Sequence, residues 1–333
     1  MQVNSVRTDY GGCRKKAQSK SLGGSSRVGQ SSMQGPLKHL GEQWKYLKAQ
    51  DGFRQAPLLT ASRLIFWRFR CLLQLPAIIN LREWDVRMLL QPEWRGMAKL
   101  VFAFRERYEP ELSYLKMILS PGNTFVDVGA NIGIYTLAAS KIVGETGRVL
   151  AFEPSAQSSP LLNKNVALNG LTNVQTFPVA LAQKNGRAWL HRGPNPTLNS
   201  FGKDPSWKED GEEVVTETLD QVLRKARVDR VDVIKMDVQG AEELVLRGAS
   251  SILTSAHPVV IFEVWPEGAV LLGLSPYGPW ELLESIGYQF FAVDPGGALS
   301  SIKSPPATGN VVAIYRQMRQ ETERQAKQTR CNP

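Results

Sequence analysis

A doubly wound α/β domain with a mostly parallel sheet is the fold class that the sequence predicts, and three observations predict it. Short runs such as "TFVDV", "RVLAFE" and "VDVIKMDV" alternate with helix-like stretches of about a dozen residues, the pattern of strand–helix–strand units. The runs are rich in Val and Ile, as expected of strands covered on both faces. Gly and Pro stand at the joins, as at Pro121-Gly122 and Gly170, where they stop helices.

The regular text begins near Leu112. "ELSYLKMILSPG" reads as a helix, "TFVDV" as the first strand and "IGIYTLAASKIV" as its following helix. "RVLAFE" and "QSSPLLNKNVALNG" repeat the unit, and "NVQTFPVAL" is a third strand. "GRAWLHR" and "EEVVTETL" read as two short strands around a loop rich in Pro, Asn and Gly. "LDQVLRKAR", "VDVIKMDV", "AEELVLRGASSILT" and "PVVIFEV" then alternate helix and strand, and "YQFFAVD" and "NVVAIYR" close the sheet. No internal repeat is found. The expected organisation is a disordered basic tail over 1–35, a helical N-terminal extension over 36–118, the α/β domain over 119–316 and a basic C-terminal tail over 317–333.

The formal charge is +9, with 40 Lys/Arg against 31 Asp/Glu. The excess sits at the ends: residues 1–50 hold 9 basic against 2 acidic, and residues 316–333 hold 5 against 2. Residues 121–315 hold 15 basic against 20 acidic, so the domain offers no basic stripe and nucleic acid is not an expected partner. Cys13, Cys71 and Cys331 are scattered, which favours a reducing compartment, and a cytoplasmic location is expected. Residues 1–35 hold seven Ser and six Gly without an apolar core, so a disordered tail is expected in place of a secretory signal. "LLTASRLIFWRFRCLLQLPAIINL", 58–81, is interrupted by Arg63, Arg68, Arg70 and Pro76 and is too broken to span a membrane. It is expected to pack on the main domain. Peripheral membrane contact is the alternative, kept open by the arginines around Phe66, Trp67 and Phe69.

In such sheets ligands sit beyond the carboxyl ends of the strands. Asp127, Glu153, Asp237 and Glu263 stand at four of those ends. Gly129-Ala-Asn131-Ile-Gly133 lets backbone approach a ligand and opens a helix. Glu153, 24 residues after Gly129, is placed to accept both hydroxyls of a ribose. The alternative is that Asp127 and Glu153 cap the helices that follow them. A dinucleotide loop wants a glycine where Asn131 stands and a small residue at Ile134, which weakens an NAD(P)-dependent oxidoreductase reading. An acid so near the loop suits instead a cationic sulfonium and ammonium, hence S-adenosylmethionine (SAM).

"FVDVGANIGIYTLAAS", "AFEPS", "LLNKNVALNG", "TLDQVL", "VDVIKMDVQGAEELVLRGA" and "VVIFEV" together resemble the FkbM family of SAM-dependent methyltransferases, over about 82–316. The resemblance implies a Rossmann-like seven-stranded domain that moves the SAM methyl group, usually to oxygen, on polyketide, sugar or glycolipid acceptors. It places the methionine end of SAM near Asp127, Gly129, Asn131 and Gly133, the ribose at Glu153 and the adenine near Val179 and Ala180. It sets Asp237 and Gln239 towards the transferable methyl and the acceptor. The family's favoured "DVEGAE" reads Asp237-Val-Gln239-Gly240-Ala-Glu242 here, so a role resting on a second carboxylate at 239 does not carry over.

An alcohol must lose its proton during transfer, so a base within hydrogen-bond reach helps. Asp237 is the first candidate, with Glu242 and Glu263 behind it; orienting Lys235 or capping the next helix are alternative roles for Asp237. His191 is a candidate substrate contact or a structural strand residue. Asn199, Ser200, Asn195 and Trp207 suit a hydroxylated, sugar-like or other small-molecule acceptor, as would any solvated loop. Trp94, Arg95, Arg107, Tyr108 and Glu109 are extension residues that could reach the acceptor or pack the surface. His39 and His257 gather no partners, and no metal site is expected. The loop after the fourth strand lacks the Asn/Asp-Pro-Pro-aromatic signature of amide and adenine methylation. The remaining alternative is a catalytically silent protein of the same fold that binds SAM or a partner. Oligomeric state is not legible.

Overall fold

The structure, a computed structural model, describes residues 51–316 apart from 195 and 209. The tails expected at 1–35 and 317–333, residues 36–50 of the extension, and Cys13, Cys331, His39 and Asn195 lie outside the described residues.

The first described helices are α1 (Asp51–Gln55) and α2 (Pro57–Leu72). They lead into β1 (Ala77–Leu81) and β2 (Val86–Leu90), then α3 (Met97–Phe104) and α4 (Pro110–Ile118). The hairpin β1–β2 corrects the expectation of an all-helical extension. Its residues bury in period two, Ala77, Ile79 and Leu81 on one strand and Val86, Met88 and Leu90 on the other, and that period makes strands rather than helices.

The first half of the α/β region comprises β3 (Thr124–Val128), α5 (Ile134–Val143), β4 (Arg148–Phe152), α6 (Ser159–Leu168) and β5 (Val174–Phe177). A small separate sheet follows, from β6 (Ala180–Leu181), β7 (Gly186–His191) and β8 (Gly211–Glu217). The expected third strand "NVQTFPVAL" is therefore two strands, β5 and β6. They part at Pro178, which has no N–H to give a ladder. The second half runs α7 (Leu219–Ala226), β9 (Val233–Met236), α8 (Glu242–Arg247), α9 (Ser250–Ser255), β10 (Val259–Val264), α10 (Pro266–Leu271) and α11 (Gly278–Ser285). It ends in β11 (Tyr288–Val293), β12 (Leu299–Ile302) and β13 (Gly309–Tyr315).

The main sheet has the order β12-β11-β13-β10-β9-β3-β4-β5, with eight strands where seven were expected. The extra strand is β12, which pairs antiparallel with β11 at one edge. Asp294 builds the turn between them: its side chain accepts the N–H groups of Gly296 and Ala298 at 2.8 Å each. The strands β5, β4, β3, β9 and β10 are parallel, and β13 runs antiparallel to both β10 and β11.

Alternation along the strands divides the core into two layers. Val126, Val128, Ile234, Met236, Val260 and Phe262 face the layer completed by Leu219, Val245, Leu253 and Leu283 from α7, α8, α9 and α11. Phe125, Val233 and Ile261 face the other, where they share one cluster with Trp67, Leu81, Trp84, Met88 and Leu115. The extension thus completes the core of the α/β region.

Two asparagines join the hairpin to the sheet. Asn165 accepts the N–H of Leu89 at 2.7 Å and donates to the carbonyls of Leu89 and Ile132 at 3.3 and 2.8 Å. Asn169 repeats the pattern on Arg87, accepting its N–H and donating to its carbonyl, both at 2.7 Å. Four residues on a helix advance about 6 Å and two on a strand about 6.6 Å, so amides spaced i, i+4 on α6 match alternate residues of β2. They close the strand edge as a third strand would. Asn165→Ala strands the backbone groups of Leu89 and the Ile132 carbonyl in a buried site and is expected to cost about 2–4 kcal/mol, read as a lower urea midpoint in one cooperative transition.

Candidate active site

The alternation that builds the core also places charge. On β3, β9 and β10, the residues that continue the face of Phe125, Val233 and Ile261 are Asp127, Lys235 and Glu263, at the carboxyl ends. Asp127 and Lys235 are register partners on adjacent strands, and both are buried. Among the described residues, Lys235 is the one cation in this ring of acids. Its ammonium lies 3.4 Å from Asp237 Oδ2 and 4.8 Å from the centre of the Tyr135 ring. Burial works against that ammonium, yet the carboxylates of Asp237, Asp127 and Glu109 hold its pKa above the ordinary lysine value.

The acids bear the cost of burial. Desolvation raises the Glu263 carboxyl to about 9, with repulsion from Asp237 and Glu242 adding to it. It raises Glu242 to about 7 against hydrogen bonds from backbone N–H groups. Asp127 and Glu109 are also raised by burial, opposed chiefly by Lys235. Asp127 Oδ2 accepts a 2.5 Å hydrogen bond from Thr136, while Oδ1 is out of solvent with no hydrogen-bond partner. Tyr135 Oη donates a 2.5 Å bond to Glu109, which fastens the start of α4 over this face. Glu111, also buried, is raised to about 7 by desolvation.

Gln239 ties two acids of the cluster together. Its amide nitrogen donates to Asp237 Oδ1 at 2.7 Å and to Glu263 Oε2 at 3.0 Å. Its backbone is left-handed at φ +54°, and its carbonyl accepts Ser200 Oγ at 2.8 Å. Ser200 in turn pairs backbone to backbone with His191, 2.8 and 3.1 Å, so the small sheet closes against the loop after β9. Burial lowers the His191 pKa, and Lys203 adds to that.

The first loop is built by its own chain. Glu153 accepts the N–H of Asn131 at 2.8 Å with one carboxylate oxygen and that of Ser155 at 2.9 Å with the other. Gly129 sits at φ +77°, and a Cβ there would come 2.0 Å from the Asp237 carbonyl oxygen. This glycine thus permits a close approach of the loop after β9. Gly133, at φ +95°, would meet Leu162 Cδ1 at 2.6 Å.

Direct contacts therefore join Asp127, Lys235, Asp237, Gln239, Glu263, Ser200 and His191 in one network, with Asn131 and Glu153 beside it. Glu242 folds back on the loop after β9, accepting the Val238 N–H at 2.9 Å. Asn199 accepts the Gly193 N–H at 3.3 Å within its own loop. Ala180 is buried in β6, and Val179 packs on the core beyond β5. His257 is remote in role, stacked 3.7 Å from the Tyr315 ring. Among the described residues no group of His, Cys, Asp and Glu is arranged to hold a metal ion. Tyr135 and Glu111 were not singled out by the sequence. Tyr135 sits in the apolar run of α5, and only its pairing with Glu109 reveals it.

The comparisons bear on this geometry. A family model described as "Methyltransferase FkbM domain" matches residues 127–275. "Methyltransferase sdnD" of Sordaria araneosa is 31% identical over 180 residues, which is 44% of this chain and 69% of that protein. The chain belongs to the FkbM methyltransferase family. "2-O-methyltransferase NoeI" of Sinorhizobium fredii is 25% identical over 162 residues, 43% of this chain and 64% of that one. Among solved structures, an FkbM methyltransferase from Methylobacillus flagellatus KT aligns with 16% identity and a TM-score of 0.38, over 66% of this chain and 53% of that one. The family match starts at Asp127 and takes in every member of the network through Glu263.

The raised acids set a pH dependence. Glu153 lies at about 7, lifted by burial against the hydrogen bonds from Ser155 and Asn131. Its folded pKa exceeds the unfolded value near 4.5, so the folded state holds the extra proton between them and stability falls as pH rises through that window. Glu153→Gln is expected to lose less stability than the parent between pH 5 and 8, by on the order of 3 kcal/mol, measured by urea unfolding at both ends.

Proposed function

We propose that this chain binds SAM at the carboxyl ends of β3, β4 and β9 and methylates an alcohol oxygen on a carbohydrate or comparable hydroxylated small molecule. One observation carries the reading: a buried cluster in which acids outnumber the single ammonium of Lys235, with Asp127 Oδ1 left unpartnered. Such a cluster fits a ligand that brings positive charge, and it fits poorly the pyrophosphate of a dinucleotide. SAM bound here supplies a methyl group on a positively charged sulfur.

The residues divide the work in this reading. Asp127 receives the ammonium of the methionine end, and Gly129, Asn131 and Gly133 shape the loop beside it. Glu153 keeps a lone pair on each oxygen after its two backbone bonds, enough to accept ribose hydroxyls. Val179 and Ala180 offer apolar surface for the adenine.

Asp237 takes the acceptor's proton. Gln239 holds Asp237 at a fixed angle and separates it from Glu263, which keeps its own proton at neutral pH. Glu242 supports the loop through Val238. His191, Asn199 and Ser200 shape the acceptor side. Most of the rate then comes from alignment of the acceptor oxygen rather than from strong base chemistry. The name of the relative NoeI specifies oxygen as its methyl acceptor, which supports the same choice here.

Calorimetry with SAM and with its uncharged-sulfur product S-adenosylhomocysteine tests the cofactor. Asp127→Asn is expected to weaken SAM about 10- to 100-fold, the range for losing a charged hydrogen bond, and to weaken the product by a similar factor, since both ligands carry the ammonium. Equal affinity of parent and variant for both ligands sinks the assignment of Asp127. For the acceptor side, Gln239→Glu introduces a third carboxyl between Asp237 and Glu263. Like charges raise one another's pKa, so the rising limb of kcat/KM should move to higher pH with KM for SAM little changed.

A further inference from the structure

The segment from 52 to 82 contains five arginines and no acidic residue, and the active-site network uses none of it. Its helix α2 buries Thr60, Trp67 and Cys71. Around them the apolar residues face outward: Leu58 is 86% exposed, Ile65 72%, Leu72 68%, Ile78 60%, Phe69 55% and Phe66 51%. A helix that is apolar on its outer side as well as its inner one needs a cover. Sixteen residues make a rod about 24 Å long, and among the described residues no helix is long and apolar enough to cross a membrane.

Beside this patch lies a cleft of about 580 Å³, lined by Arg63, Arg70, Arg82 and Arg105 with Glu106 as its one acid. Glu106 is already engaged, accepting the Arg82 N–H at 2.6 Å. Arg63 donates to the Ala103 carbonyl at 3.1 Å, and Arg70 donates to the carbonyl of Pro76. Arg105 Nη1 and Arg70 Nε are out of solvent without a hydrogen-bond partner. Burial, and then the neighbouring Arg63, pull the Arg105 pKa down to about 10. Arg63 stands close enough to Arg105 to disfavour its charge, and Glu106 is the one acid in the lining. Phe66 and Ile78 belong both to the cleft wall and to the exposed patch, so the two features are continuous.

We propose that this face docks the protein on a membrane that contains anionic phospholipid, its exposed apolar residues entering the acyl boundary and the arginine cleft taking a headgroup phosphate. Guanidinium forks match phosphate oxygens, and an amphipathic basic helix lying in the interface plane joins both attractions. The occupant follows from charge. The cleft sets four arginines against one acid that is already engaged, so the occupant is anionic, and residues 1–50, with 9 basic residues against 2 acidic, do not have that charge. A second copy would set the same arginines against each other in a twofold pairing.

The test is flotation of the full-length chain with vesicles of phosphatidylcholine, with and without phosphatidylglycerol. Retention on the anionic vesicles should exceed that on the neutral ones by at least about tenfold and should fall as salt rises from about 0.05 to about 0.5 M. Phe69→Glu with Leu72→Glu, both at exposed positions, should reduce it about tenfold or more. Arg63→Gln with Arg70→Gln should abolish the preference for phosphatidylglycerol. Unchanged melting temperatures and unchanged S-adenosylhomocysteine binding check that the variants are folded. Four outcomes overturn the proposal: no retention on either vesicle, undiminished retention of the Glu double variant, binding of inorganic phosphate as tight as that of vesicles, or a parent dimer in ultracentrifugation that Phe69→Glu splits.

Discussion

Everything around the candidate site depends on keeping the Lys235 ammonium out of water. A buried lysine is tolerable only if opposite charge surrounds it. The sheet supplies that charge by register, since Asp127 on β3 stands beside Lys235 on β9 and Asp237 follows two residues later. Each acid recruited to balance the lysine must itself be desolvated, and the raised pKa values of Glu263, Glu109 and Asp127 are the result. The hydrogen bonds around the cluster serve that same accounting of charge. Thr136 donates to Asp127, Tyr135 to Glu109, and Gln239 to Asp237 and Glu263.

The N-terminal extension belongs to this arrangement physically. Glu109 reaches the lysine from the start of α4, so the segment that covers the sheet face also supplies one of its counter-charges. The hairpin below it is held by the amide ladder of Asn165 and Asn169, and Asn165 also holds the Ile132 carbonyl of the first loop. Packing on the extension and shape at the first loop are therefore mechanically joined through one side chain. A change in β2 has a short path to the loop at 129–133.

Much of the architecture was legible because it rests on local pattern. Apolar strand runs, helix stops at Gly and Pro, and acids at the strand ends gave the layers and brought Asp127, Asp237 and Glu263 to one edge. The hairpin at 77–90 was missed because its alternation is short and lies beside a longer apolar helix, whose periodicity dominates the reading. β12 was missed because "ALSSI" carries little apolar signal and pairs only by virtue of the Asp294 turn. The part played by Tyr135 was hidden for a different reason. A tyrosine in an apolar helix reads as packing, and its partner Glu109 is 26 residues away in sequence. A second demand on Gly129 was also hidden: the loop after β9 packs so close that no Cβ fits there, and that neighbour is remote in sequence.

The residue at 239 shows how a small departure from a family pattern can be absorbed. A glutamate there would add a third acid to a pair that already repels, and it could bridge Asp237 and Glu263 only by carrying protons. The Gln239 amide offers two N–H donors from one nitrogen and no charge, so it satisfies both neighbours at once. Its left-handed backbone turns the side chain back between them while the carbonyl is held by Ser200. The amide thereby fixes the position of Asp237 and adds no charge beside it. Asp237 is also the less enclosed of the two acids, with 26% of its side chain exposed, while Glu263 carries the larger cost of burial. The same amide thus joins an acid that burial holds in its protonated form to one that keeps contact with solvent and with the Lys235 ammonium.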